Sequence, residues 1–538
     1  MQIGTVVKGR GGVVSAGHPA TAAAGAEILA RGGNAVDAVV AAMFTAFHSE
    51  PLLTSAAGGG FLVTRVDGEP AAWDFFARAP GLGTGAKPYQ APDGAFWGET
   101  VDFGSATQTF HIGPGSIATS FALQGLAEAQ QQAGRLTLKE VCEPAWKAAH
   151  EGTVMTQMGA FVSVLLEPIV RAVPEFEKYF IDDEGNLIAP GTRFHNPDLA
   201  KLWDAVAADG GRVLTQGPLA DRLLAEVRGK GGGLTAQDLA QYQTSRTQPF
   251  HHVLTDGTEL LAAPMPSSSG MLIAFADALF AGFDTPSFGS AAEVLLRRAV
   301  IAEAFHARAV IIGNETPSQA HADRMLSDKS IAVGRAAVRK WLDLGVGELP
   351  EIPSNELGST THISAIDADG NAAATTCSNG ECSTVIVPGT GVFLNNFLGE
   401  DDINPGGFHR LAPGTPMGSS MCPMLLNSAK HTVALGSGGS NRIWTALLQT
   451  TRNLLVHGKH PARAVNSDRV HFEAGKMAGE AANDMRDALD ALVAEGLQLG
   501  RFDAPNMFFG GTHLAIRSAD TEVLGVGDER RSGAAAVT

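Results

Sequence analysis

Three consecutive hydroxyl residues, Ser359, Thr360 and Thr361, stand where a polar, glycine- and proline-punctuated segment ("WLDLGVGELPEIPSNELGS") gives way to the run "THISAID". A threonine hydroxyl attacks well only when a base takes its proton, and one available base is the residue's own α-amine once that amine is free. An unperturbed α-amine titrates at about 7.7 to 8.0, so modest desolvation brings it to a neutral working pH without a histidine. Such a threonine must first become an N-terminus, which requires cleavage of the bond before it. On residue type alone the same three hydroxyls also read as a turn entering a strand.

Other chemistries find less support. The chain has no Gly-x-Ser-x-Gly elbow, no Gly-x4-Gly-Lys-Ser/Thr phosphate loop and no His-Glu-x-x-His helix. Cys377 and Cys382 are spaced Cys-x4-Cys with His362 near in sequence, but no second pair completes a tetrahedral metal set. They read as small buried thiols, and His362 as a packing residue of its strand. No metal is expected.

The hydroxyls must be positioned by their surroundings. "THISAID" and "AAATTCS" joined by "ADGN" predict a β-hairpin. Strands are also expected in "GVFLNN", "TVALGSG", "MFFGGTHLAIRS" and "EVLGVGDER", with helices in "SNRIWTALLQTTRNLLVHG" and "NDMRDALDALVAEG". Near the N-terminus, "TAAAGAEILARGG" predicts a helix, and Asn34 can cap a second in "AVDAVVAAMFTAF". Further helices are expected over 118–152 and from Ser290 onward. Strand runs sandwiched by helices predict a layered α/β (α+β) protein with mainly antiparallel sheets.

Composition narrows the class. In 538 residues, 44% apolar and 18% charged, there are 64 glycines, roughly 12% against a usual value of about 7%, so tight turns are many. A formal charge of −17 without any basic run argues against nucleic acid as partner. Four cysteines make no disulfide framework and fit reduced thiols in a cytoplasm. The N-terminus "MQIGTVVKGRGGVVSAGHP" lacks a signal-peptide pattern, and "AVDAVVAAMFTAF" carries Asp37 and is too short to span a bilayer. Neither secretion nor a membrane partner is expected.

"TTHISAIDADGNAAATT" resembles the Thr-Thr-His-x-Ser-x-x-Asp-x-x-Gly-Asn segment that opens the small subunit of the γ-glutamyltransferase family, self-processing N-terminal nucleophile (Ntn) hydrolases. The likeness continues, in the family's order, through "GHPATAAAGAEILARGGNAVDAVVA", "EPLLTSAAGGGFLV", "HIGPGSIATSF", "GGGLTAQDLAQY", "PMPSSSG", "FLNN", "GSSMCP" and "GSGGSNRI". It implies a four-layer αββα sandwich and cleavage between Ser359 and Thr360. Residues 1–359 would form a large segment and 360–538 a small one, associating as one folded unit with no cofactor. A possible homo-oligomer is left open.

The resemblance also assigns roles. Thr360 matches the nucleophile, and Ser378 the second hydroxyl that hydrogen-bonds it. Gly438 and Gly439 match the oxyanion-binding pair, as suits amides at a strand end opening a helix. Ser419 and Ser420 match the pair that binds a substrate carboxylate. Glu400, with Asp401 behind it, takes the place of the acid that meets the substrate amine. Two positions depart: Phe76 stands where the family has a carboxylate-binding Arg, with Arg78 two residues on, and Gly380 replaces an Asn. A phenyl ring cannot replace a guanidinium fork. The expected activity is therefore hydrolysis or acyl transfer on a small amide other than a standard γ-glutamyl substrate. The alternatives are a γ-glutamyltranspeptidase or glutathione hydrolase, and an unprocessed binding protein.

Overall fold

Alternating small and β-branched residues suit a pleated surface buried on both faces. In the computed structural model, which describes residues 1–102, 107–349 and 359–538, such runs assemble into two large antiparallel sheets. The first runs Gln2–Gly4, Ala534–Val537, Val13–Ala16, Thr361–Ile366, Ala372–Ser378, Gly59–Val66, Glu69–Asp74, Ser245–Thr247. The second runs Phe250–Val253, Glu259–Ala262, Met424–Asn427, His431–Gly438, Gly511–Ser518, Val523–Val526, Val6–Gly9. Segments from before and after Ser359 thus interleave in both sheets.

The hairpin expected from "THISAID" and "AAATTCS" lies mid-sheet, with Thr361 opposite Cys377 and Ile366 opposite Ala372. Its pleat sorts the layers. Ile363, Ala365 and Ala373 face the helices Pro19–Ala30 and Ala35–Ser49. Ile366, Ala372 and Ala374 face Leu425, Ala434 and Ala515 of the second sheet. Beyond that sheet, Val433, Leu435 and Leu514 pack with the helices Ser269–Phe280, Ala291–Ile311 and Arg442–Leu455. The result is the four-layer αββα sandwich of the Ntn-hydrolase type.

Ala35–Ser49 is buried along its whole length, which explains an apolar pattern without a polar face. Its start is fixed as the sequence predicts. Asn34 accepts the Val36 and Asp37 amides, and Asp37 accepts the Asn34 amide. Of the polar segment before Thr360, Trp341–Asp343 closes the helix Asp328–Asp343, and 350–358 lies outside the described residues. The expected strand in "GVFLNN" is confined to Val392–Phe393. Among the described residues, no helix is long and apolar enough to cross a membrane.

One buried ionic knot bears on the site. Asp528 accepts Arg469 at 2.6 Å, Arg530 at 3.1 Å and the Thr512 amide at 2.8 Å. Burial alone would raise its carboxyl, but Arg469 and Arg530 hold it well below the usual carboxylate range. The knot fixes the turn Glu529–Arg531, and so delivers Arg531 to the first hairpin strand.

Candidate active site

Thr360 sits at the entry of the strand Thr361–Ile366, 4% exposed, in an uncleaved peptide. The residue before it is held at both polar groups. The Ser359 carbonyl accepts the Ser378 hydroxyl at 2.5 Å, and the Ser359 amide donates to Glu381 Oε1 at 3.0 Å. Ser378, ending the second hairpin strand, also accepts the Gly380 amide at 3.0 Å. In this uncut chain, then, Ser378 serves the carbonyl next to Thr360, a partner different from the nucleophile hydroxyl expected from the resemblance. A hydroxyl donating to that carbonyl polarises the carbon that Thr360 Oγ1 would attack.

Gly438 and Gly439 end the strand His431–Gly438 and lead into the helix Arg442–Leu455, the placement expected from the sequence. A Cβ on Gly438 would lie 2.2 Å from the Thr360 carbonyl oxygen, and Gly439 has φ +120°, so both positions require glycine. The same carbonyl accepts Arg531 Nη1 at 3.0 Å. Thr361 turns to the helical face and donates to Glu50 Oε2 at 2.6 Å, while Thr21 donates to Glu50 Oε1 at 3.0 Å. His362 lies between the sheets, its ring nitrogens taken by Thr376 and Ser364, each at 2.8 Å. Burial, then His513, keeps that ring neutral.

Burial raises the Glu50 carboxyl from 4.5 to about 6, against the hydrogen bonds from Thr361 and Thr21 and the charge of Arg531. The folded chain keeps this proton to higher pH than the unfolded chain. Its contribution to stability is therefore fully present below pH 4.5 and lost as pH rises through 6. At about 1.4 kcal/mol per unit this amounts to about 2 kcal/mol. Glu50→Gln should flatten that part of the stability curve, read by denaturant titration between about pH 4 and 7.

A cleft of about 320 Å³ is lined by Arg308, Asp402, Arg410, Ser419, Ser420 and, two residues after Gly439, Asn441, among others; Thr360 and the glycine pair are not in its lining. Arg308 Nη1 donates to Asn441 Oδ1 at 2.8 Å, and Ser420 Oγ to the same oxygen at 3.4 Å. Ser440, next after Gly439, donates to Asp402 Oδ2. The "GSSMCP" and "PMPSSSG" blocks are stitched together here, since Ser268 N and Ser269 Oγ donate to the carbonyls of Ser419 (2.9 Å) and Ser420 (2.6 Å).

The remaining predicted residues, Phe76, Arg78, Glu400 and Asp401, are not in the lining of this cleft. Glu400 is buried behind Gly380, whose φ of +60° and missing Cβ leave room for Glu400 Oε1 and Asn396 Oδ1. Burial and the neighbouring Glu381 and Asp402 push the Glu400 carboxyl well up. Asp401 is half-buried, raised by burial against His111. Phe76 is 2% exposed and packs on Phe61 and Phe397, with ring centroids at 5.8 and 5.0 Å. Arg78 pairs with Asp74 at 3.5 Å and is not among the residues lining the cleft. Its neighbours Ala77 and Ala79 form backbone bonds to Met417 and Thr415, and Arg78 itself exchanges backbone bonds with Thr119. Cys377 and Cys382 belong to separate apolar clusters.

Glu50, Arg308, Glu381, Asp402 and Arg531 join the site without having been picked out from the sequence. Signals were present for two of them. Glu50 opens the block "EPLLTSAAGGGFLV", and Glu381 is an acid inside the otherwise small and polar "CSNGECS".

The sandwich and the strand-entry threonine facing a glycine turn define the class: this is an N-terminal nucleophile hydrolase, an enzyme of the amidohydrolase or acyltransferase type. The family described as Gamma-glutamyltranspeptidase matches residues 21–538, and the chain belongs to that family. It is 31% identical over 496 residues to the Acylase ACY 1 proenzyme of Pseudomonas sp. (strain SE83), covering 91% of this chain and 86% of that protein. To the Glutathione hydrolase proenzyme of Pseudomonas aeruginosa it is 29% identical over 522 residues, covering 92% and 90%. The crystal structure of cephalosporin acylase from Bacillus halodurans shares the fold, with a TM-score of 0.82 at 22% identity over 99% of this chain and 97% of that one. Members of the family are processed into two chains that associate and act on small substrates.

Proposed function

We propose that the chain cuts itself between Ser359 and Thr360 and that the freed Thr360 then hydrolyses or transfers the acyl group of a small amide. The observation that carries this reading is the grip on Ser359: its carbonyl on Ser378, one bond from the Thr360 amine and beside the Gly438 turn. Residues 1–359 and 360–538 remain one unit because both contribute paired strands to each of the two sheets. The word "proenzyme" in the names of both relatives supports processing. In the mature form the Thr360 α-amine takes the hydroxyl proton, the acyl-enzyme forms on Oγ1, and the amides of Gly438 and Gly439 meet the oxyanion. Water or a second amine then releases the acyl group.

The acyl group reaches the cleft, where Arg308, Ser419 and Ser420 contact a carboxylate on it. Phe76 offers no charge and Arg78 is engaged with Asp74. Arg308→Ala should raise KM for acyl groups bearing a carboxylate by about 10- to 100-fold, the worth of a charge-assisted hydrogen bond, with kcat little changed. Arg78→Ala should leave KM within about threefold, since it contacts a different carboxylate.

The glutathione hydrolase relative and the retained acid Glu400 favour a second reading, a γ-glutamyl hydrolase or transpeptidase. Assays with γ-glutamyl-p-nitroanilide, with and without an acceptor dipeptide, separate the two. Robust turnover would displace the first reading, and turnover only of other acyl anilides supports it.

A further inference from the structure

We propose that Glu381 is a positioning residue for self-cleavage, holding the amide of Ser359 so that the adjoining carbonyl stays on Ser378 and within reach of Thr360. This rests on the self-cleavage reading above. The turn from Ser378 to Glu381 grips one residue at both ends. Ser378 Oγ donates to the Ser359 carbonyl at 2.5 Å, and Glu381 Oε1 accepts the Ser359 amide at 3.0 Å. The turn is itself fixed, for Gly380 donates its amide to Ser378 Oγ at 3.0 Å and Glu381 donates its amide to Asn396 Oδ1 at 2.9 Å. A side chain on Gly380 would break this arrangement, since its Cβ would lie 1.9 Å from that Asn396 oxygen.

Glu381 is 1% exposed, and its second oxygen, Oε2, has no hydrogen-bond partner among the described residues. A buried carboxyl with an unsatisfied oxygen is costly as a purely structural choice. Burial and the nearby Asp402 hold it well above the usual carboxylate range, so it reaches Ser359 as a neutral acid. A neutral carboxyl still offers its carbonyl oxygen as acceptor. Glutamine therefore supplies the same contact.

The covalent step leaves Glu381 unchanged. Thr360 Oγ1 adds to the Ser359 carbonyl carbon, the carbon–nitrogen bond breaks, and the departing amine takes the hydroxyl's proton. Water then hydrolyses the ester to the Ser359 carboxyl and the free Thr360 hydroxyl. What Glu381 supplies is orientation, and a misplacement of about 1 Å can slow such a step by about 100-fold.

The test uses the full chain and follows maturation by denaturing electrophoresis and intact mass. Glu381→Gln should mature within about threefold of the parent rate, and Glu381→Leu, of similar volume but without an acceptor, should be slowed at least about tenfold. In the Thr360→Ala background, which keeps the peptide intact, the Ser359 amide should be protected from hydrogen exchange with Glu or Gln at 381 and unprotected with Leu. A Leu variant that matures like the parent or keeps the amide protected overturns the proposal. So does a Gln variant as slow as Leu at an unchanged Tm. If the Leu chain does not fold, the Gln variant decides: parental maturation with a protected Ser359 amide supports the proposal, and a tenfold delay overturns it. A Thr360→Ala chain that still splits between 359 and 360 overturns the self-cleavage reading instead, and a parent that never splits overturns both.

Discussion

Thr360→Ala should remain one chain of 538 residues and lose amide hydrolysis by a factor of about 10⁴ or more. The substitution removes the attacking oxygen for both steps, self-cleavage and acyl transfer. Neither of the two nearby hydroxyls is placed to substitute: Ser378 is committed to the Ser359 carbonyl and Thr361 points to Glu50 on the opposite face of the strand. The fold should survive, because a small side chain replaces another beside a backbone whose carbonyl remains held by Arg531. Denaturing electrophoresis gives the processing result and anilide hydrolysis the catalytic one. Thr360→Ser, which keeps hydroxyl and amine, should mature and retain activity.

Gly438→Ala should have the second largest effect. The new methyl would sit 2.2 Å from the Thr360 carbonyl oxygen and 2.9 Å from Arg531 Nη1. The first neighbour is backbone, fixed by the strand that follows it, so the glycine turn itself must retreat. Overpacking of this kind costs about 1 to 3 kcal/mol. Moving an oxyanion donor lowers kcat by about 100- to 1000-fold. Maturation rate and single-turnover acylation should both fall, with a modest drop in Tm. Parental kcat in this variant would show that the Gly438 amide does not meet the reacting group.

What was legible in the sequence followed from periodicity and local signals. The hairpin around "ADGN", the Asn34-capped helix and the helix after "GSGG" each carry pattern or capping residues within a few positions. Val13–Ala16 pairs with the first hairpin strand and Ala534–Val537 pairs with Val13–Ala16 in turn, yet both were missed. Being buried on both faces, "VVSA" and "AAAV" show no alternation and are too short for a helix argument.

The site divides the same way. Thr360, Ser378 and the two glycines lie in the matching blocks. Arg531 and Glu50 reach the hairpin from 171 and 311 residues away in sequence, through an ionic knot and a helix end that no local pattern announces. Arg78 shows the limit of the sequence: two residues after Phe76 it stood as an open substitute for the missing Arg, and its guanidinium meets Asp74, four residues back.

The central claim, that Thr360 becomes the N-terminal nucleophile, is tested most directly by rapid quench of the purified enzyme with a turned-over amide, followed by mass analysis of its fragments. The account predicts a fragment 360–538 that begins with Thr360 and carries the acyl mass on that residue. Turnover by an uncut chain, or an acyl group on any other side chain, would contradict it.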